Sequence, residues 1–168
     1  MLRGLSLLLG VCGAVAAVLG WQMLLPYLPP DPAGSSMAVR LGQGCAALLP
    51  GAMVLALMVL SQMALRFVAG IADPLAGHET RWLRINQRVI TNTVEQFTIF
   101  VPALLALSAG VTGARMREVT ALGVVFAAAR LVFWIGYLIA PIGRAPGMAA
   151  TLVATLSALG AAAWFWVN

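Results

Sequence analysis

Five apolar runs divide the chain: Gly4 to Leu28, Gly44 to Leu65, Val89 to Gly110, Val119 to Ala140 and Gly147 to Val167. Each is near or above the ~20 residues a helix needs to cross ~30 Å of hydrocarbon. The pattern predicts an all-α bundle of five transmembrane helices with almost no chain left for a soluble domain. Polar positions interrupt it in two places. Arg88, Asn92 and Glu95 recur at spacings of four and three and share one face of the third helix. Arg81 and Arg84 extend the same stripe backwards, so that helix begins in water and carries its polar face into the membrane. In the fourth run Arg130 and Tyr137 lie seven residues apart, again on one face. Ionisable side chains at such depth cost roughly 2.5 to 3.5 kcal/mol each on insertion scales, so they pair, face a cavity and mark a working site.

Other positions read as packing. Ala150, Ala154, Ala158 and Ala162 form a small-residue ridge that lets helix backbones approach in lipid, with a shorter version in Gly13, Ala17 and Gly20. Pro50 and Pro102 are candidate kinks, and Trp164 and Trp166 are candidate interfacial anchors. Prolines 26, 29, 30 and 32, with Asp31 and Gly34, punctuate a first loop too short to be a domain. The second loop carries Ala72-Asp73-Pro74-Leu75 and Gly77 and is the longest. No internal repeat is visible, which argues against an inverted-repeat transporter.

Composition agrees with a membrane protein: of 168 residues 62% are hydrophobic and 9% charged, against about 25% charged in soluble domains. Mean hydropathy is +0.98. The isoelectric point of about 10.6 would suggest nucleic acid in a soluble protein. Here all ten basic residues are arginines, most of them in loops beside spans, where they set topology instead. Arg3, Arg66, Arg81, Arg84, Arg88 and Arg144 fall on one side and Arg40, Arg115 and Arg117 on the other. That bias predicts a cytoplasmic N-terminus and a C-terminus outside; the expected setting is a bacterial inner membrane or, in a eukaryote, an endomembrane. Ala14-Val15-Ala16 resembles a signal-peptide cleavage site, but the apolar run continues to Leu28, which favours a retained helix. Cys12, Cys45 and the single His78 are too few and too scattered for a metal site or a CxxC motif.

Depth arithmetic refines the stripes. With the cytoplasmic edge at Arg88, Asn92 lies roughly 6 Å and Glu95 roughly 10 Å inward at 1.5 Å per residue. The fourth span runs back to Ala140, placing Tyr137 roughly 5 Å and Arg130 roughly 15 Å deep. Glu95 and Arg130 approach a common depth and are expected to pair, because a lone buried charge is far more costly. Arg88, Asn92, Tyr137 and Arg144 then remain as donors without enough acceptors. Such a surplus suits a small anion with carboxylates, since guanidinium forks bind carboxylate bidentately. A thiol in the same place would be pushed toward thiolate. The bland alternative is an interhelical network that only fixes packing.

Arg88-Val-Ile-Thr-Asn92-Thr-Val-Glu95 resembles the second helix of MAPEG proteins, the membrane-associated proteins of eicosanoid and glutathione metabolism. Arg130, Tyr137 and Arg144 match the spacing at that family's third helix and following loop. The resemblance runs from about Gly44 to the C-terminus. It implies an additional N-terminal helix and loop over 1–41, a four-helix membrane domain over 42–168, and a homotrimer in the lipid bilayer. It further implies glutathione bound between subunits near the cytoplasmic face. Arg88, Asn92 and Glu95 would be contacts or their supports, Arg130 and Tyr137 would hold the peptide, and Arg144 would face and activate the sulfur. The implied activity is a glutathione transferase or peroxidase acting on a lipophilic electrophile or lipid hydroperoxide.

The chain departs from the family pattern at Phe133, where a hydrogen-bonding side chain often stands. Arg144 is followed by Ala145-Pro146-Gly147 without a nearby Ser or Tyr, and no Pro follows Glu95 closely. The extra first span and the Asn-Thr-Val-Glu-Gln run are similar to the divergent, five-span, mattrin-like branch. These features define the rival expectation, a non-catalytic protein with a regulatory or scaffolding role. A channel or proton relay is disfavoured because Glu95 is the one acidic residue inside the apolar runs.

Overall fold

Each apolar run forms a helix, in a computed structural model that describes residues 2–29, 36–70 and 80–168. The helices are α1 (Leu2–Leu24), α2 (Met37–Ala69), α3 (Arg81–Gly110), α4 (Met116–Ile139) and α5 (Ala145–Val167). All five are long and apolar enough to cross a membrane, and the chain is an integral membrane protein of all-α class. Asp31, Gly34, Ala72 to Leu75, Gly77 and His78 lie outside the described residues.

Caps explain why two helices outrun their apolar runs. Ser36 accepts a hydrogen bond from the Val39 amide and starts α2 at Met37, seven residues before Gly44. Thr80 does the same for the Leu83 amide and starts α3 at Arg81, so the polar stripe begins ahead of the apolar run as its spacing indicated. A side-chain oxygen at this position satisfies an amide that the first helical turn leaves unpaired. Pro50 and Pro102 both lie inside continuous helix.

The bundle is built around α4, which packs against α2 and α5 and also touches α3; α3 in turn packs against α2 and α5. Phe100 of α3 stacks on Phe126 of α4 at 4.2 Å between ring centroids, both fully buried. The alanine ridge of α5 faces inward, with all four residues buried. In lipid this close packing, rather than water exclusion, holds helices together. The additional helix α1 lies outside, mainly on α5 with a smaller contact to α4. Gly13 permits that contact: a Cβ there would overlap the Pro146 backbone. Ala17 is buried beside it, whereas a Cβ on Gly20 would meet nothing, so the ridge in α1 extends over two of its three residues. Trp21 donates to the Glu118 carbonyl at 3.1 Å and fastens the far end of α1. Trp164 and Trp166 are exposed at the end of α5.

Candidate functional site

Two polar assemblies meet where α3, α4 and α5 come together. The first is closed. Arg130 is 0% exposed, and its guanidinium donates to Thr93 Oγ1 from Nε at 3.2 Å and from Nη2 at 2.9 Å. Nη2 also reaches Asn92 Oδ1 at 3.1 Å, and Nη1 reaches Thr151 Oγ1 at 3.4 Å. Each threonine hydroxyl spends its own proton on its helix, Thr93 on the Val89 carbonyl and Thr151 on the Gly147 carbonyl, both at 2.7 Å. Their lone pairs are thereby left for the arginine. The Phe133 ring lies under the guanidinium, 4.1 Å from Cζ to centroid, where its π-face stabilises the cation. Phe133 thus replaces a hydrogen bond with a cation–π contact.

The expected Glu95–Arg130 pair does not form: Arg130 is held by neutral acceptors, and Glu95 is exposed. The two side chains differ in direction. Glu95 is two residues beyond Thr93, roughly 200° around the helix, and Thr93 is the residue that faces α4.

A second buried network joins α2, α3 and α4 and was not read from the sequence. Asn86, 1% exposed, donates to Gln62 Oε1 at 2.9 Å and to the Met58 carbonyl at 3.1 Å. Its Oδ1 accepts from the Trp134 indole at 2.8 Å. Gln62 lies inside the apolar second run, and an amide there requires a partner, which was the available signal. The threonines gave none, because threonine is common on every kind of helix face.

The second assembly is open. A cavity of about 470 Å³ is lined by Gln87, Arg88, Thr91, Asn92, Glu95, Phe133, Tyr137, Arg144 and Met148. Five of the six residues singled out from the sequence therefore meet in one space. The sixth, Arg130, lies behind its wall and reaches it through Asn92. The Arg130 bond turns Asn92 Oδ1 inward and leaves Nδ2 on the cavity side, 3.5 Å from Glu95 Oε2. Arg144 stands over the Tyr137 ring at 5.0 Å, and Tyr137 meets Phe133 edge-on at 6.1 Å.

The short 3-10 turn Pro141–Arg144 sets that position. It folds so tightly against the end of α4 that a Cβ on Gly136 would overlap the Gly143 carbonyl. Arg144 is thereby brought back over Tyr137 instead of trailing along α5. Among the described residues Arg88 and Arg144 make no hydrogen bond or ion pair. The cavity therefore presents two guanidiniums without an ion pair, one carboxylate, one phenol, one threonine hydroxyl and the amides of Gln87 and Asn92. Its volume is within the range of about 300 to 1,000 Å³ usual for small-molecule sites.

Residues 43–164, more than half of the chain, match the sequence profile described as the MAPEG family. No curated protein matches the chain. The matched segment includes every residue of both assemblies and leaves α1 outside.

Proposed function

The chain belongs to the MAPEG family, and on that premise we propose that the open cavity binds glutathione for transfer to a lipophilic electrophile or for reduction of a lipid hydroperoxide. The observation that carries this reading is the pair of arginines, Arg88 and Arg144, that face the cavity with no hydrogen bond or ion pair among the described residues. Glutathione carries two carboxylates, one ammonium, two peptide amides and a thiol. Arg88 suits a carboxylate as a bidentate fork, Glu95 suits the ammonium, and Asn92 reads a peptide amide. Tyr137 adds a hydroxyl for hydrogen bonding.

Bound there, glutathione supplies a sulfur nucleophile. Arg144 stabilises its anionic form, since a nearby guanidinium lowers a thiol's pKa. Arg130 acts behind this surface as a positioning residue that fixes Asn92. The family suggests a homotrimer with each site between subunits, and the arginine bias supports a cavity at the cytoplasmic end. The acceptor substrate arrives from the bilayer. Isothermal titration with glutathione in detergent tests the reading, and absence of heat at millimolar concentration would remove it.

A second reading is a non-catalytic, mattrin-like scaffold, favoured by Phe133, whose ring is committed to Arg130 and Tyr137. It expects glutathione binding to be absent and thiol transfer undetectable while the oligomer stays intact.

A further inference from the structure

A second space lies beside the donor cavity, between α1 and α5, with about 960 Å³ of volume. Its walls are apolar and open sideways: Leu7 is 72% and Val11 61% exposed, and Leu152 and Met148 complete the opposite face. Two arginines line it, Arg3 on α1 and Arg144 on the 3-10 turn, with the Ser6 hydroxyl and no carboxylate among its lining residues. Neither arginine has a hydrogen bond or ion pair among the described residues.

We infer that this groove holds an anionic phospholipid of the surrounding bilayer, its acyl chains along Leu7, Val11 and Leu152 and its phosphate against Arg3 and Arg144. Three features select that occupant. The groove opens along its length to the side, so entry is from lipid rather than water. Its volume is about twice that of the donor cavity, which suits chains rather than a small polar anion. Its charge is wholly positive, and guanidinium binds phosphate oxygens as a fork. Arg3 belongs to the helix outside the matched family segment, so the groove is a feature of this chain's added helix. Arg144 and Met148 line both spaces, so the lipid phosphate and the ligand of the donor cavity share one guanidinium, whereas Arg3 serves the groove alone.

The test is native mass spectrometry of the full chain in detergent, offered phosphatidylglycerol and phosphatidylcholine with identical acyl chains. The expected result is preferential retention of phosphatidylglycerol. Arg3→Gln should weaken that retention roughly fivefold, the worth of one surface arginine toward an anionic lipid, with phosphatidylcholine unaffected. Val11→Trp, which fills the groove without changing charge, should release both lipids from a protein of unchanged helicity. Equal retention of the two lipids, or unchanged preference in Arg3→Gln, would overturn the assignment. So would loss of oligomer in Val11→Trp with lipid still bound, which would put a second copy of the chain in the groove. The readout contains no glutathione, so failure of glutathione binding leaves this result standing.

Discussion

The seam around Arg130 and the cavity beside it use the same materials, arginine, asparagine and an aromatic ring, on α3, α4 and the turn that follows α4. They differ in accounting. Every polar group of the seam has a partner inside the chain: Arg130 has Thr93, Asn92, Thr151 and the Phe133 ring. Among the described residues the cavity's Arg88 and Arg144 make no hydrogen bond or ion pair, and Arg144 rests over the Tyr137 ring. A satisfied network rigidifies a fold, whereas exposed donors without an internal acceptor are available to a ligand. Asn92 belongs to both, accepting from Arg130 on one side and turning its amide to the cavity on the other. Depth in the membrane thus does not distinguish structure from site; direction around the helix does.

Substitutions can break this division. The largest effect is expected from Thr93→Val, which keeps the shape but removes the acceptor of two Arg130 bonds. It should cost about 1.5 to 3 kcal/mol, the worth of hydrogen bonds to a charged group, seen as a lower denaturation midpoint in detergent. Thr93→Ser should recover most of it. Trp134→Phe leaves the buried Asn86 Oδ1 without its donor and should cost about 1 to 2 kcal/mol in the same assay. Tyr137→Phe belongs to the cavity: stability should hold while glutathione affinity falls severalfold, for a loss of about 0.5 to 1.5 kcal/mol. Glu95→Gln should change stability by less than about 0.5 kcal/mol, as for a surface substitution. A loss as large as that of Thr93→Val would restore the Glu95–Arg130 pair and erase the distinction between the regions.

Much of this organisation is written in the sequence in a form that simple periodicities recover. The five spans follow from apolar length, and the early start of α3 follows from Arg81, Arg84 and Arg88 sharing a face. Gathering Arg88, Asn92, Glu95 and Tyr137 requires only the three-and-four spacing and the antiparallel run of neighbouring spans; Arg144 also needs the tight Pro141–Arg144 turn. What the spacing does not carry is rotation between helices. Height along the axis brought Glu95 and Arg130 to within roughly 5 Å in depth, but which side of α3 faces α4 depends on packing by Phe100, Phe126 and the alanine ridge. Thr93 and Thr151 were silent for a related reason: a threonine that returns its proton to its own helix looks neutral until an arginine arrives opposite. Gln62 sits inside an apolar run and was a readable signal, but Asn86 lies ahead of the third run, and their meeting depends on where α2 crosses α3.

The central claim is that the donors left over at the cavity mouth constitute a binding site, and isothermal titration calorimetry with glutathione tests it most directly. Detergent-solubilised protein should bind at millimolar concentration or below. Arg144→Ala should weaken binding at least tenfold, since one charge-assisted contact is worth about 1.5 to 3 kcal/mol, with an unchanged denaturation midpoint. No heat from the unaltered protein at millimolar glutathione, or equal affinity in Arg144→Ala, would contradict the account.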